Sequence, residues 1–562
     1  MKKRISDLLA LLLAILVGFG NVYNIFLSFL ATPQGTEYLG ISNFFLPDYL
    51  FYLTFIKEGM RGLWRIVILY TQEETVYWVI HWPYLLIGHL SRLFSLSAPV
   101  GYWLSVFLLS GAIVLCAYLF LRLFFKSIGK SHLVFPVLLA YLFTGSFFLI
   151  QKDPFSIRVM DVTWYYRADL FTRLGIIPHH LIANLGVMIF FIASFYLFES
   201  FKKKKYTFRS FLFWLAIAFL LFLVMSIAPI EVTYLLPAFG AALVYSLFFY
   251  RFFKPKGILF NGISFEVLVL GLFLFGLYFQ KNIASFYNEE VGIAEISNHM
   301  AWPTLKNFFF ASGPVLILAI PALLILCRNV IKAFIHPSLF MGITASILSY
   351  ALFSTKISLL FNTHNSRFLF PDAYLFMAMV VFLALDELKA KSWKKKAVIW
   401  LTTILIIGFS VPANYFILKL RGEKRTSFTE EYYEYLPDDL VDGLKFLENE
   451  SLKNPLVLTT VVSGLRMFLP IYTQARVYAT NYAHTINFPQ KAKNCNDFFT
   501  NVMSDQQKID FLRREKINYL VFSIYDLGDL DKKFLHEPYF ISPNLPLKLI
   551  FSNSKVVIYK VI

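Results

Sequence analysis

Long apolar runs separated by short polar breaks dominate this chain. A spanning helix needs about 20 predominantly apolar residues. Runs of that kind start near Leu8, Tyr102, Leu133, His180, Phe211, Val232, Ile258, Phe308, Ser338, Phe370 and Ala397, so eleven spans are expected. The breaks alternate in character. One set is short and basic, at 2–4, 122–130, 202–209, 251–256, 328–332 and 389–396. The other is longer, mixed and aromatic, at 31–100, 151–178, 280–307 and 355–369, with a tight corner at Pro229-Ile230-Glu231. Lys and Arg mark cytoplasmic loops. The basic set and the N-terminus are therefore expected inside, and an odd number of spans puts the C-terminus outside. The first run follows Met1-Lys2-Lys3-Arg4, exceeds signal-peptide length and lacks a clear small-residue cleavage site, so it reads as a retained anchor.

The first outer loop, 31–100, is too long for a connector and too apolar to float free. Pro47 suits the first turn of a helix, and Tyr49-Leu50-Phe51-Tyr52-Leu53-Thr54-Phe55-Ile56 reads as a helix lying in the interface. Gly59 and Gly62 are expected to end it. Further interfacial stretches are expected at 78–93 and 155–173. From about Arg421 the charged fraction rises, and short β-rich runs alternate with helical ones. They include Pro455-Leu456-Val457-Leu458, Arg476-Val477-Tyr478 and Asn518-Tyr519-Leu520-Val521-Phe522, with a helix expected at 505–516. That alternation predicts a small α/β domain. The chain therefore reads as a polytopic α-helical membrane protein of about 11 spans, residues 1–420, with a C-terminal extracytoplasmic α/β domain, residues 421–562.

Composition narrows the functional classes. Of 562 residues, 58% are hydrophobic and only 15% charged, against about 25% charged in soluble chains. The net charge of +17 resides mostly in the basic breaks, where it acts as a topology signal, so nucleic acid is disfavoured as a partner. Cys116, Cys327 and Cys495 lie far apart and encode neither a disulfide framework nor a metal site. No phosphate-binding Gly-rich loop opens the C-terminal segment. The outer loops collect the carboxylates, among them Asp48, Glu58, Glu73, Glu74, Asp153, Asp161, Asp169 and Glu231, whereas Glu266 is the one read well inside a span. A transporter more typically buries charges at mid-membrane, and internal repeats of span groups are not evident.

Several local marks accompany this layout: Pro47-Asp48-Tyr49-Leu50-Phe51-Tyr52-Leu53 with Lys57-Glu58-Gly59, Pro178-His179-His180 at the start of a span, and the polar knot at 362–368. In the C-terminal segment Tyr478-Ala479-Thr480-Asn481-Tyr482-Ala483-His484-Thr485 precedes Phe498-Phe499. With them the chain resembles the GT-C superfamily of membrane glycosyltransferases, which includes protein O-mannosyltransferases and aminoarabinose transferases. The paired Asp-Glu of the O-mannosyltransferases is absent, because Tyr49 follows Asp48.

The resemblance implies a glycosyltransferase that moves a sugar, with inversion, from a polyprenyl-phosphate donor at the extracytoplasmic face. The acceptor, whether glycan, lipid or protein, is left open. Asp48 is the candidate general base, since a carboxylate within hydrogen-bond reach can take the acceptor proton; its bland alternative is support of a helix N-terminus. Glu58 is expected to assist, or to salt-link with Lys57, Arg61 or Arg65. Glu73, Glu74 and Asp153 are candidates for orienting substrate. A divalent cation remains open as cofactor, although adjacent carboxylates alone make a poor metal signature. Arg167, Arg173, His179, His180, Lys356, His364 and Arg367 are candidates for meeting a leaving phosphate, Arg being suited to bidentate contact; loop capping and snorkelling are the alternatives. Rival functions are a lipid-linked glycan ligase or polymerase, a non-enzymatic lipid or sugar transporter, and a membrane scaffold.

Overall fold

The computed structural model describes residues 2–41, 46–74, 81–151, 156–159, 167–175, 177–202, 208–249, 300–330, 335–361, 363–388, 391–422, 434–449, 454–462, 464–526, 535–536 and 538–562. Five helical stretches among them are long and apolar enough to cross a membrane: Arg4–Leu30, Ala98–Ser127, Pro178–Lys202, Leu305–Leu326 and Ser392–Gly422. Shorter apolar helices occupy Ser131–Phe143, Leu212–Ile227, Pro337–Phe353 and Ala373–Asp386, and Pro229–Phe249 follows the Pro229 corner. The span expected from Ile258 lies outside the described residues. With these helices the chain is an integral membrane protein.

Two compact units divide the chain. One holds Met1–Val22, Ser105–Lys281 and Gly292–Leu420; the other holds Tyr23–Leu104, Asn282–Val291 and Arg421–Ile562. Sequence pattern groups the first outer loop with the membrane helices, yet in the structure it shares a unit with the C-terminal segment. The reason is backbone pairing. Thr36–Tyr38 runs antiparallel to Tyr435–Pro437. The Val477 N–H donates to the Leu69 carbonyl at 2.9 Å, and Thr71 bridges Ala479, so 69–71 runs beside a sheet edge that would otherwise be unpaired.

That sheet has five strands in the order Arg476–Val477, Leu456–Leu458, Tyr519–Ser523, Val556–Val561, Leu547–Ser552. The first three are mutually parallel and the last two antiparallel. The central Tyr519–Ser523 is buried along its whole length, as expected for a strand covered on both faces. Asp505–Arg514 lies before it, opened by a capping box between Ser504 and Gln507.

In the same unit the helix Leu46–Met60 packs against Trp82–Leu93. Gly59 does not end its helix. It lies at a backbone crossing, where a Cβ on Gly59 would fall 2.3 Å from the Leu85 carbonyl oxygen and one on Gly88 2.2 Å from that of Ile56. Gly62 is the terminator: at φ +91 its N–H donates to Gly59, while Leu63 donates to Glu58, the paired bonds of a Schellman cap.

Candidate active site

Helix Leu46–Met60 delivers two of the expected carboxylates to opposite environments. Asp48 sits in its first turn with its side chain 37% exposed, and Nε2 of His484 lies 3.9 Å from its Oδ1. The imidazole is fixed by stacking on Phe51 at 3.9 Å. Asn481 Oδ1 accepts from the His484 backbone N–H at 2.8 Å and stands 2.9 Å from Nδ1. A carbonyl oxygen only accepts, so Nδ1 carries the hydrogen and Nε2 turns a lone pair towards Asp48. Burial pushes His484 down to about 3, which keeps the ring neutral at pH 7. His484 was not among the residues expected from sequence. Its only signal was its place in the Tyr478–Thr485 stretch.

Glu58 departs from the salt link expected of it. Arg61 instead pairs with Glu448 at 2.6 Å, and Lys57 lies over the Tyr472 ring. Glu58 is buried, its Oε2 accepting from the Val67 N–H at 3.1 Å. Burial raises it to about 8, so it pins the following loop as a protonated acid. Glu73 accepts from Lys491 Nζ at 2.7 and 2.8 Å and from Thr71. Glu74 is largely exposed and 3.5 Å from Arg476. These two carboxylates therefore tie 71–74 to the C-terminal segment. Among the described residues no three His, Cys, Asp or Glu side chains are grouped to hold a metal ion.

The membrane unit gathers most of the cationic candidates. Arg167 is buried just before Leu170–Leu174. His179 and His180, in the first turn of Pro178–Lys202, lie with ring centroids 4.3 Å apart. Arg167 and Arg367 are both within electrostatic reach of this pair. Arg367 is exposed, and its Nε donates to His364 Nε2 at 3.1 Å. The rest of that polar knot is structural: Asn365 holds Ala301 through both its amide atoms and also donates to the Phe353 carbonyl. Asn362, the knot's first residue, and Asp153 lie outside the described residues.

Arg173 has a closed environment. It donates to the Ala168, Tyr141 and Leu142 carbonyls, with its guanidinium 5.0 Å from both the Tyr141 and Tyr374 rings. Asp169 accepts from the Ser146 N–H and hydroxyl; these bonds oppose the rise that burial imposes on it. Sequence did not single out Asp372, which accepts from the Tyr141 hydroxyl at 2.9 Å. Its signal was the Pro371-Asp372 pair, which repeats the Pro47-Asp48 arrangement at a helix start.

No family model matches the chain, and no curated protein matches it. Solved structures do. The archaeal oligosaccharyltransferase AglB from Archaeoglobus fulgidus, in complex with an inhibitory peptide and a dolichol-phosphate, matches with a TM-score of 0.52 at 13% identity, over 93% of this chain and 70% of that one. The arabinofuranosyltransferase AftD from Mycobacteria matches with a TM-score of 0.50 at 12% identity, over 99% of this chain and 40% of that one. The fold is that of the GT-C glycosyltransferases. The chain spans less than half of AftD. At such identities the likeness carries the fold and leaves every side chain to be argued from its own surroundings.

Proposed function

We propose that this GT-C chain transfers a glycosyl group from a polyprenyl-phosphate-linked donor to an acceptor at the extracytoplasmic face, with the N-terminus cytoplasmic and the C-terminal segment outside. The observation that carries the reading is Asp48, a partly exposed carboxylate at the start of a buried aromatic helix in a GT-C fold. As general base it takes the proton from the acceptor as the acceptor atom bonds to the anomeric carbon. The bond from that carbon to the phosphate oxygen breaks, and its electron pair leaves on the polyprenyl phosphate. Arg167, His179, His180 and Arg367 are assigned to the phosphate: a buried guanidinium gives strong charge-assisted bonds there, and it meets charge as it develops. A bound dolichol-phosphate in AglB supports a lipid of this class.

The test is transfer from polyprenyl-phosphate sugars in membranes holding wild type or Asp48→Asn at matched expression. Loss in the variant with lipid binding kept supports Asp48 as base, and equal transfer by both removes that role. A second reading, transfer of a longer lipid-linked glycan, draws on the likeness to an oligosaccharyltransferase. Product size in the same assay separates the two.

A further inference from the structure

The membrane unit contains buried polar atoms that the proposed mechanism leaves unused. Glu231 Oε2, Tyr234 OH and Asp372 Oδ2 are each buried without a hydrogen-bond partner among the described residues, as is His180 Nδ1. They belong to one neighbourhood. Glu231 lies within electrostatic reach of Arg167 and Asp372, and Tyr234 within reach of Glu231, Asp372 and Arg167.

Two helix starts hold them. Glu231 is in the first turn of Pro229–Phe249, with Tyr234 three residues on and therefore on the same helix face. The Tyr234 ring packs on Phe370 at 5.2 Å, which fixes its hydroxyl without satisfying it. Asp372 stands at the N-cap position of Ala373–Asp386 without a side-chain capping bond and is oriented by Tyr141 through its other oxygen. An unsatisfied buried polar group costs about 1–3 kcal/mol, and more in a membrane, where water cannot compensate. Three together, positioned by packing, make a receptor for a ligand with several hydroxyl groups.

We infer that Glu231, Tyr234 and Asp372 form the subsite that binds the sugar ring of the donor by its hydroxyls. Arg167 is the common neighbour of this group and of His179 and His180. One glycosyl phosphate laid with its phosphate at Arg167 would present its ring to Glu231, Tyr234 and Asp372. The carboxylates accept from ring hydroxyls, and the Tyr234 hydroxyl both donates and accepts. A site built from such groups discriminates against a ligand that lacks the matching hydroxyls, because its own polar atoms would stay unpaired.

The inference rests on the proposed donor class, and the experiment separates the two. The full chain in lipid nanodiscs is titrated with dolichol phosphate, dolichyl phosphomannose and dolichyl phosphoglucose, for wild type, Tyr234→Phe and Glu231→Leu. Expected is tighter binding of at least one glycosylated lipid than of dolichol phosphate in wild type. Each variant should then lose about tenfold for that lipid, the scale of one hydrogen bond, with dolichol phosphate unchanged. Unchanged dolichol phosphate binding also shows that the variants fold. Equal affinity of wild type for all three lipids, or equal loss of bare and glycosylated lipid in the variants, overturns the subsite while leaving the lipid class in place. Failure of wild type to bind any of the three overturns the donor class and the subsite with it.

Discussion

Two polar networks in this protein follow opposite rules. Around Tyr70 and Glu73 the polar atoms are matched: Thr480 and Thr485 hydroxyls both donate to the Tyr70 carbonyl, Tyr70 OH donates to the Met467 carbonyl, Thr71 Oγ1 accepts from the Ile486 N–H, and Lys491 neutralises Glu73. In the membrane unit the buried Glu231 Oε2, Tyr234 OH, Asp372 Oδ2 and both amide atoms of Asn184 have no partner among the described residues. The first arrangement is what a joint requires, since a satisfied network holds one geometry. The second destabilises the empty protein, and binding a ligand is what would offset it. Polar residues at a joint should therefore answer in stability, and those of the membrane unit in ligand affinity.

The largest expected effect lies in neither network. Asp48→Asn should lower transfer by about 10²–10⁴-fold, the range of general-base catalysis, in an initial-rate assay, with thermal stability unchanged. Arg167→Gln should weaken dolichol phosphate binding about ten- to a hundredfold, as a lost charge-assisted bond implies; unchanged affinity would move the phosphate away from Arg167. Asn184→Leu should raise stability by about 1–2 kcal/mol in a denaturation assay, because it removes an unsatisfied buried amide. A loss there would mean that Asn184 is satisfied. Lys491→Met should do the reverse at the joint and cost about 1 kcal/mol, the scale of a partly exposed ion pair.

The smallest effect is a slope. The folded state holds the Glu58 proton up to about 8, against an ordinary value of 4.5. The stabilisation from Glu58 is thus fully present below about 4.5 and is lost as pH rises through about 8, since between those values the folded state holds a proton that the unfolded state has released. Glu58→Gln keeps an acceptor for the Val67 N–H and should flatten melting temperature across that interval. An unchanged slope would show that Glu58 is ionised in the folded protein.

What the sequence revealed followed from which interactions are local. Apolar length marks helices such as Pro178–Lys202, and Pro47 with its aromatic run marks the helix that carries Asp48, because both depend on neighbours in the chain. With the loop layout they were enough to indicate the GT-C fold. The surroundings of Glu58 were not legible. Its charge suggested a surface link, but burial against Val67 is set by how 61–67 folds back after the Gly62 cap. The pairing of 69–71 with 476–479 carried no signal either, since short extended segments do not encode which distant edge they join. Asp372, Glu231 and Tyr234 each looked like an ordinary helix-end or span residue, and only the packing of separate helices brings them together. Asp48 and the stretch that holds His484 were each visible in the sequence, while the 3.9 Å approach of the two was not.

The joint between the first loop and the C-terminal segment also bears on synthesis. Thr480 bonds to the carbonyl of Tyr70 across a separation of 410 residues. Contacts this remote must wait for the chain between them to be made, and domains otherwise fold from the N-terminus as they emerge. The stretch from Asp48 to Glu73 therefore reaches the ribosome exit early and gains its final partners last. A chain that stalls before residue 476 would hold Asp48 on a loop that lacks these partners, so the order of translation itself withholds the finished loop until residues 476–485 have been made.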